Sequence, residues 1–265
     1  MPIFSIALLL FIFIFSFFGS FFYTVSPYAL DAHSILLSPS FVHLLGTDRL
    51  GRDILARLID GGQVSLTIGV GSAFIASFVG FIYGSLAGYL RGGFDKVFVV
   101  SVDLFLTFPT FFLLLALVSY VNASVWVLIV IISITGWMTT ARLIRSESFK
   151  ITSQPFIKIL NIAKVNKFKI LMKYYAPILA PIYFVSFTFG VGGAILAESS
   201  LSFLGLGIVA PQMSWGTILS GGKGVVDIAW WVSFFPGLMI FLVTFSLINI
   251  SNYLQTLTNR KELQN

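Results

Sequence analysis

The chain has 265 residues, of which 57% are hydrophobic and 10% charged, contains no cysteine, and has a mean hydropathy of +0.98. Those values exclude a soluble globular domain, a disulfide framework, a thiol nucleophile and a Cys-based metal site. The net charge of +6 does not point to nucleic acid, because the positive excess is concentrated in one loop between apolar runs, where membrane topology accounts for it.

The recurring apolar runs predict an all-α polytopic membrane protein of about six transmembrane helices, with both termini cytoplasmic and no room for a soluble catalytic domain. Residues 2–23 form the first predicted span, since residues 1–30 carry no charged side chain. A cleaved signal peptide would need a basic start and a small-residue cleavage site, and neither is evident. Residues 26–63 then turn polar. Asp31, Asp48, Asp53 and Asp60 balance Arg49, Arg52 and Arg57, which suits an external loop. Ile54, Leu55, Leu58 and Ile59 predict a short interfacial helix ahead of the second span. His33 and His43 lack ligand spacing with a carboxylate, so no metal site is expected.

The second predicted span covers residues 64–90, where Gly80, Gly84 and Gly88 permit close helix packing in lipid. A net-positive turn from Arg91 to Lys96 precedes the third span, residues 97–121, which Pro109 is expected to bend. Asp103 lies roughly 9 Å inside that span at 1.5 Å per residue. An acid there is costly unless it faces protein or water. Asn122 to Ser124 make a short external turn, and residues 125–141 form the fourth span.

The loop over residues 142–176 is the long polar interruption in the chain. It carries Arg142, Arg145, Lys150, Lys158, Lys164, Lys167, Lys169 and Lys173 against Glu147, half of the 16 basic residues. The positive-inside rule puts this loop in the cytoplasm. Phe156, Ile159, Leu160 and Ala163 recur at i, i+3, i+4, i+7, predicting an amphipathic helix that starts near Pro155. A second helix runs from Lys167 to Tyr175 and ends at Pro177. An exposed apolar stripe of this kind suits lipid headgroups or a partner protein.

Residues 177–197 form the fifth span, ending at Glu198. That acid suits a proton relay, a counter-ion or a hydrogen-bonded anchor for the glycine-rich segment after it. The anchor is favoured, because the sequence positions no second acid to relay with it. Residues 199–229 are an external loop and residues 230–254 the sixth span. The tail with Arg260 and Lys261 is expected in the cytoplasm. Gly221-Gly222-Lys223-Gly224 fails as a phosphate loop, because Thr217 and Gly224 stand where Gly and Ser or Thr are required. Neither a Ser/His/Asp constellation nor paired carboxylates appear at plausible spacing, so no enzyme is expected and nucleotide-driven work belongs to another chain.

Three groups of residues carry a resemblance. They are Gly46-Thr47-Asp48-Arg49-Leu50-Gly51-Arg52-Asp53, Leu201-Ser-Phe-Leu204-Gly205-Leu-Gly207 followed by Ser214-Trp215-Gly216, and Trp230-Trp231 with Pro236-Gly237. In combination they resemble the C-type permease subunit of ATP-binding-cassette importers for dipeptides, oligopeptides and nickel. The resemblance implies a type I importer permease fold in the bacterial cytoplasmic membrane. It also implies a homologous second permease, ATP-binding subunits that hold ATP and Mg, and a periplasmic or lipid-anchored substrate-binding protein. No cofactor on this chain and no nucleic-acid partner is implied.

In that family the cytoplasmic loop seats in a cleft of the ATPase, with the signature Glu-Ala-Ala followed by Gly. Aligning on Pro177 places Lys158, Ile159 and Leu160 at the triplet and Lys164 at the Gly; aligning on Pro181 shifts that register. The signature residues are lost while the helix-turn-helix remains. The resemblance thus assigns ATPase coupling to Phe156, Ile157, Lys158, Ile159, Leu160, Ala163 and Lys164. An external gate or binding-protein dock falls to Glu198, Leu204, Gly205, Gly207, Trp215 and Gly216, beside the external signature Gly46, Thr47, Asp48, Gly51, Arg52 and Asp53. Two alternatives stand beside it: an ion-gradient-driven transporter using Asp103 and Glu198, and a non-transporting scaffold for an ATPase.

Overall fold

The computed structural model describes residues 2–264, with side chains through residue 258; Asn265 and the side chains of Arg260 and Lys261 lie outside the described residues. The described residues form helices α1 (Ile3–Phe22), α2 (Ile54–Leu90), α3 (Gly92–Thr107), α4 (Thr110–Ser119), α5 (Val125–Thr152), α6 (Pro155–Ile162), α7 (Lys167–Ile170), α8 (Ala176–Phe203), α9 (Trp215–Gly221) and α10 (Trp231–Gln264). The extended contacts among them amount to an isolated bridge between Thr47 and Asp53. Five helical runs are long and apolar enough to cross a membrane, and the bent pair α3 and α4 makes a sixth.

Several bounds differ from the sequence expectation. The interfacial helix and the second span are one continuous helix, α2, whose start Asp53 caps by accepting from the Ala56 amide at 2.9 Å. The glycines at 61 and 62 do not break it; a Cβ on Gly62 would meet Ser16 Oγ at 2.3 Å, so they serve close packing against α1 and α9. The third span is broken rather than bent. Phe108 is extended, Pro109 stands before α4, and the two helix axes differ by 78°, since proline disfavours the helical conformation of the residue before it.

The helix of the fourth span, α5, continues eleven residues past its expected end, to Thr152. Its extension is held by α2, where Gly80, Gly84 and Gly88 leave room for the backbone of α5. A Cβ on Gly84 would lie 2.4 Å from the Ala141 carbonyl oxygen and one on Gly88 2.2 Å from Ser148 Cβ. Arg145 pairs with Asp95 of α3 on the other side. α7 does not stop at Pro177: it passes through a wide turn, Leu171–Tyr175, into α8. Pro177 has no amide to give the Lys173 carbonyl, and the turn closes instead from the Ala176 amide to Leu171. α8 runs to Phe203 and α10 from Trp231 to Gln264, both beyond the expected spans.

Two of the four buried apolar clusters among the described residues lie at the two ends of this frame, beneath the segments that matter for the site. Ile54, Leu58, Met213, Trp215, Ile218 and Trp231 pack under the segment joining α1 to α2. Ile144, Ile151, Ile157, Ile170, Tyr175 and Leu179 pack under the α6–α7 hairpin.

Candidate functional site

At the first end, residues 46–53 form a compact turn. Gly46 and Gly51 adopt φ +79° and +72°, and a Cβ on Gly51 would fall 1.9 Å from the Asp31 carbonyl oxygen, so side chains are excluded there. Asp48 accepts from the amides of Leu50 (2.8 Å) and Arg52 (3.0 Å) and from Arg52 Nε (2.7 Å). Arg57 Nε lies 3.6 Å from the same carboxylate. Asp53 is nearly buried and gathers Tyr23 Oη and His43 Nδ1, each at 2.9 Å, besides capping α2. His43 is thus tied to an acid but belongs to no ligand set, and among the described residues no three His or acidic groups are placed to hold a metal. Tyr28 donates to Asp60 at 2.7 Å; burial, then that bond, push its phenol up to about 12. The Asp31 carboxyl is held below its usual range, first by the Ser34 hydroxyl and then by the His33 amide.

Glu198 sits beside this end, fully buried. Its carboxylate accepts from Ser202 and Ser214 at 2.6 Å and from Ser65 and Ser199 at 3.4 Å. Ser65 in turn accepts from the Trp215 amide at 3.0 Å, and the Trp215 indole donates to the Leu58 carbonyl at 2.9 Å. Glu198 therefore fastens α2, α8 and the start of α9 together. Gly207 and Gly216 are needed for close approach, since a Cβ on either would collide with Ser202 or Ser199. Gly205 adopts φ +86° and Leu204 is exposed. Trp231 donates to the Thr47 carbonyl at 3.1 Å and so joins the first and third of the sequence signatures. Ser65 is the residue that sequence reasoning missed; its only signal is being polar in an apolar run.

At the other end, α6 and α7 form a hairpin whose inner face is Ile157 and Leu160 rather than the whole expected stripe. Phe156, Lys158, Ile159, Ala163 and Lys164 are exposed, and Ile159 (65%), Ile162 (81%) and Phe168 (69%) leave a bare apolar surface. The helix ends in an αL cap. Lys164 has φ +52°, its amide bonds the Asn161 carbonyl, and the Val165 amide reaches back to Leu160 at 3.1 Å. Lys164 thus occupies a backbone conformation that glycine favours. Tyr89, at the end of α2, donates to Asn161 Oδ1 at 2.8 Å and holds the hairpin from above.

Asp103 is not brought to Glu198. It pairs with Arg142 of α5 on an exposed face, both side chains being more than half exposed, whereas Glu198 is enclosed by hydroxyl groups. The two acids have separate partners, so the gradient-driven alternative is not supported.

A multi-pass helical frame with a glycine-dependent signature at one end and an apolar hairpin at the other defines a membrane permease component. The family model described as "Binding-protein-dependent transport system inner membrane component" matches residues 80–262. The chain belongs to that family, a class of non-catalytic membrane permeases. It is 31% identical over 243 residues to the oligopeptide transport system permease protein OppC of Haemophilus influenzae, covering 91% of this chain and 78% of that one. It is 33% identical over 252 residues to the dipeptide transport system permease protein DppC of Bacillus subtilis, covering 94% and 78%. Among solved structures, the inward-facing MetNI methionine ABC transporter matches with a TM-score of 0.57 at 16% identity, covering 75% of this chain and 96% of that one. The fold is shared.

Proposed function

We propose that the chain is one permease of an ATP-driven importer of dipeptides or oligopeptides, forming half of a translocation path. The 46–53 turn and the segment around Glu198 would lie outside, and the α6–α7 hairpin would lie in the cytoplasm. A homologous second permease completes the path, ATP-binding subunits carry ATP and Mg, and a substrate-binding protein delivers cargo. Relatives over most of the chain carry peptide transport in their names. The observation that carries the coupling assignment is the hairpin. It is anchored inward by Ile157 and presents Ile159, Ile162 and Phe168 outward, the surface a rigid lever needs in order to be gripped. Closure of the ATPases moves the lever, and the helices it joins switch the path between its two accesses.

The test is purification of the C-terminally tagged chain from native membranes in mild detergent, followed by ATP-driven uptake of tri-alanine into vesicles of the recovered complex. A second permease and an ATPase are expected to co-purify. Ile159→Asp should release the ATPase while leaving the chain folded, because Ile159 is largely exposed and lies outside the buried cluster under the hairpin. Retention of ATPase and uptake by that variant would move coupling away from this hairpin.

A further inference from the structure

A groove of about 450 Å³ opens between α2, α5 and α8, with Thr110 and Leu114 of α4 along one side. Its lining includes Ser72, Ser77, Thr139, Thr140, Ser186 and Gly193 and, among the described residues, no Asp, Glu, Lys or Arg. Small residues alone would be a packing seam, as they are at Gly84 and Gly88 where α5 fills the space. Here the space is not filled. A Cβ built on Gly193 meets nothing within 4 Å, and one on Gly136, also in the lining, meets only Ala76 at 3.4 Å. Thr139 and Gly193 are exposed.

A second observation points to a polar occupant. The Ser72 hydroxyl is fully buried, lines the groove and, like the Ser85 and Ser246 hydroxyls elsewhere, has no hydrogen-bond partner among the described residues. A buried hydroxyl without a partner is costly, and more so at membrane depth, where lipid offers nothing in exchange. The contrast with the other large cavity is informative. That one, about 700 Å³, is lined by such residues as Leu9, Phe13, Leu66, Val70 and Trp126, as expected of a surface that meets acyl chains. Arg142 of the exposed Arg142–Asp103 pair, which bridges α5 to α3, lies one turn beyond the groove's Thr139 on α5. Charges on the outside of a spanning bundle belong toward protein or water rather than toward lipid.

We infer that this groove is the chain's own wall of the translocation path. Its hydroxyl groups meet the uncharged amide backbone of a passing peptide, and the wall does not select by side-chain charge. The inference rests on the permease reading above. Hydroxyls donate and accept, so Ser72 and its neighbours can exchange partners with successive N–H and C=O groups without a charged anchor that would trap the cargo. Gly136 and Gly193 keep the bore open.

The chain has no cysteine of its own, so substituted cysteines report directly. Thr139→Cys and, as a lipid-side control, Val70→Cys are introduced into the complete transporter in membrane vesicles and exposed to a charged methanethiosulfonate, with and without tri-alanine. The mass shift reads labelling whether or not the variant transports. Labelling of Thr139→Cys that tri-alanine slows, with Val70→Cys unlabelled, is the expected result. Gly193→Phe, which clashes with nothing in the chain at its Cβ, should assemble with its partners and lose uptake. An unlabelled Thr139→Cys, or a Gly193→Phe complex that still takes up tri-alanine, overturns the groove assignment and leaves the permease reading intact. Absence of ATP-driven uptake by the unsubstituted complex instead overturns the permease reading.

Discussion

Lys164 holds a φ of +52° that costs an L side chain roughly 1–2 kcal/mol. Glycine there loses roughly 0.5–1 kcal/mol of that gain to chain entropy, so Lys164→Gly should stabilise the hairpin slightly, read as a small rise in melting temperature. Its effect on ATPase binding reports the loss of the Lys164 side chain together with that backbone change. Glu198→Ala should do the opposite. It strips the acceptor from two short hydroxyl bonds in a dry site, at a cost of about 2–4 kcal/mol. Thermal unfolding should show the loss, and hydrogen exchange should place it at Trp215–Gly221, with Glu198→Gln intermediate. Asp31 gives a pH signature. Its folded pKa is depressed, so its contribution to loop order is complete above about pH 4 and disappears as pH falls through the lower folded value. Amide protection at His33 should follow that course, and Asp31→Asn should abolish it.

At the scale of elements, the seam between α2 and α5 is where sequence was most informative and least complete. The four-residue spacing of Gly80, Gly84 and Gly88 marked a packing face, and the structure seats Ala141, Arg145 and Ser148 on it. Gly84→Leu should therefore prevent α5 from docking and abolish recovery of folded protein, whereas Gly93→Ala, with open space at its Cβ, should be silent. Helix ends were harder to read. Polarity suggested that α5 stops near Ala141, but Arg142 and Arg145 are paired across to Asp103 and Asp95, so the charged turns stay helical. Pro109 was legible as a disturbance; the 78° angle depends on what each half packs against, which no local pattern records. The signature glycines were legible as a motif, and their reason, approach of Asp31 to Gly51 and of Ser202 to Gly207, exists only in three dimensions.

Across the whole molecule, the two ends are joined by α2, whose 37 residues span about 55 Å without a break. Its start is clamped by Asp53 with Tyr23 and His43, and its finish is clasped to the hairpin by Tyr89 and Asn161. No loop lies between the clamps to absorb a displacement. A displacement of the hairpin along the helix would carry the far turn in the same direction, and a ligand that shifts that turn would act on the hairpin with the same coupling free energy, since linkage has no preferred direction. On the proposed assignment, receptor and motor would hold opposite ends of one stick, each able to sense the other's state without any messenger between them.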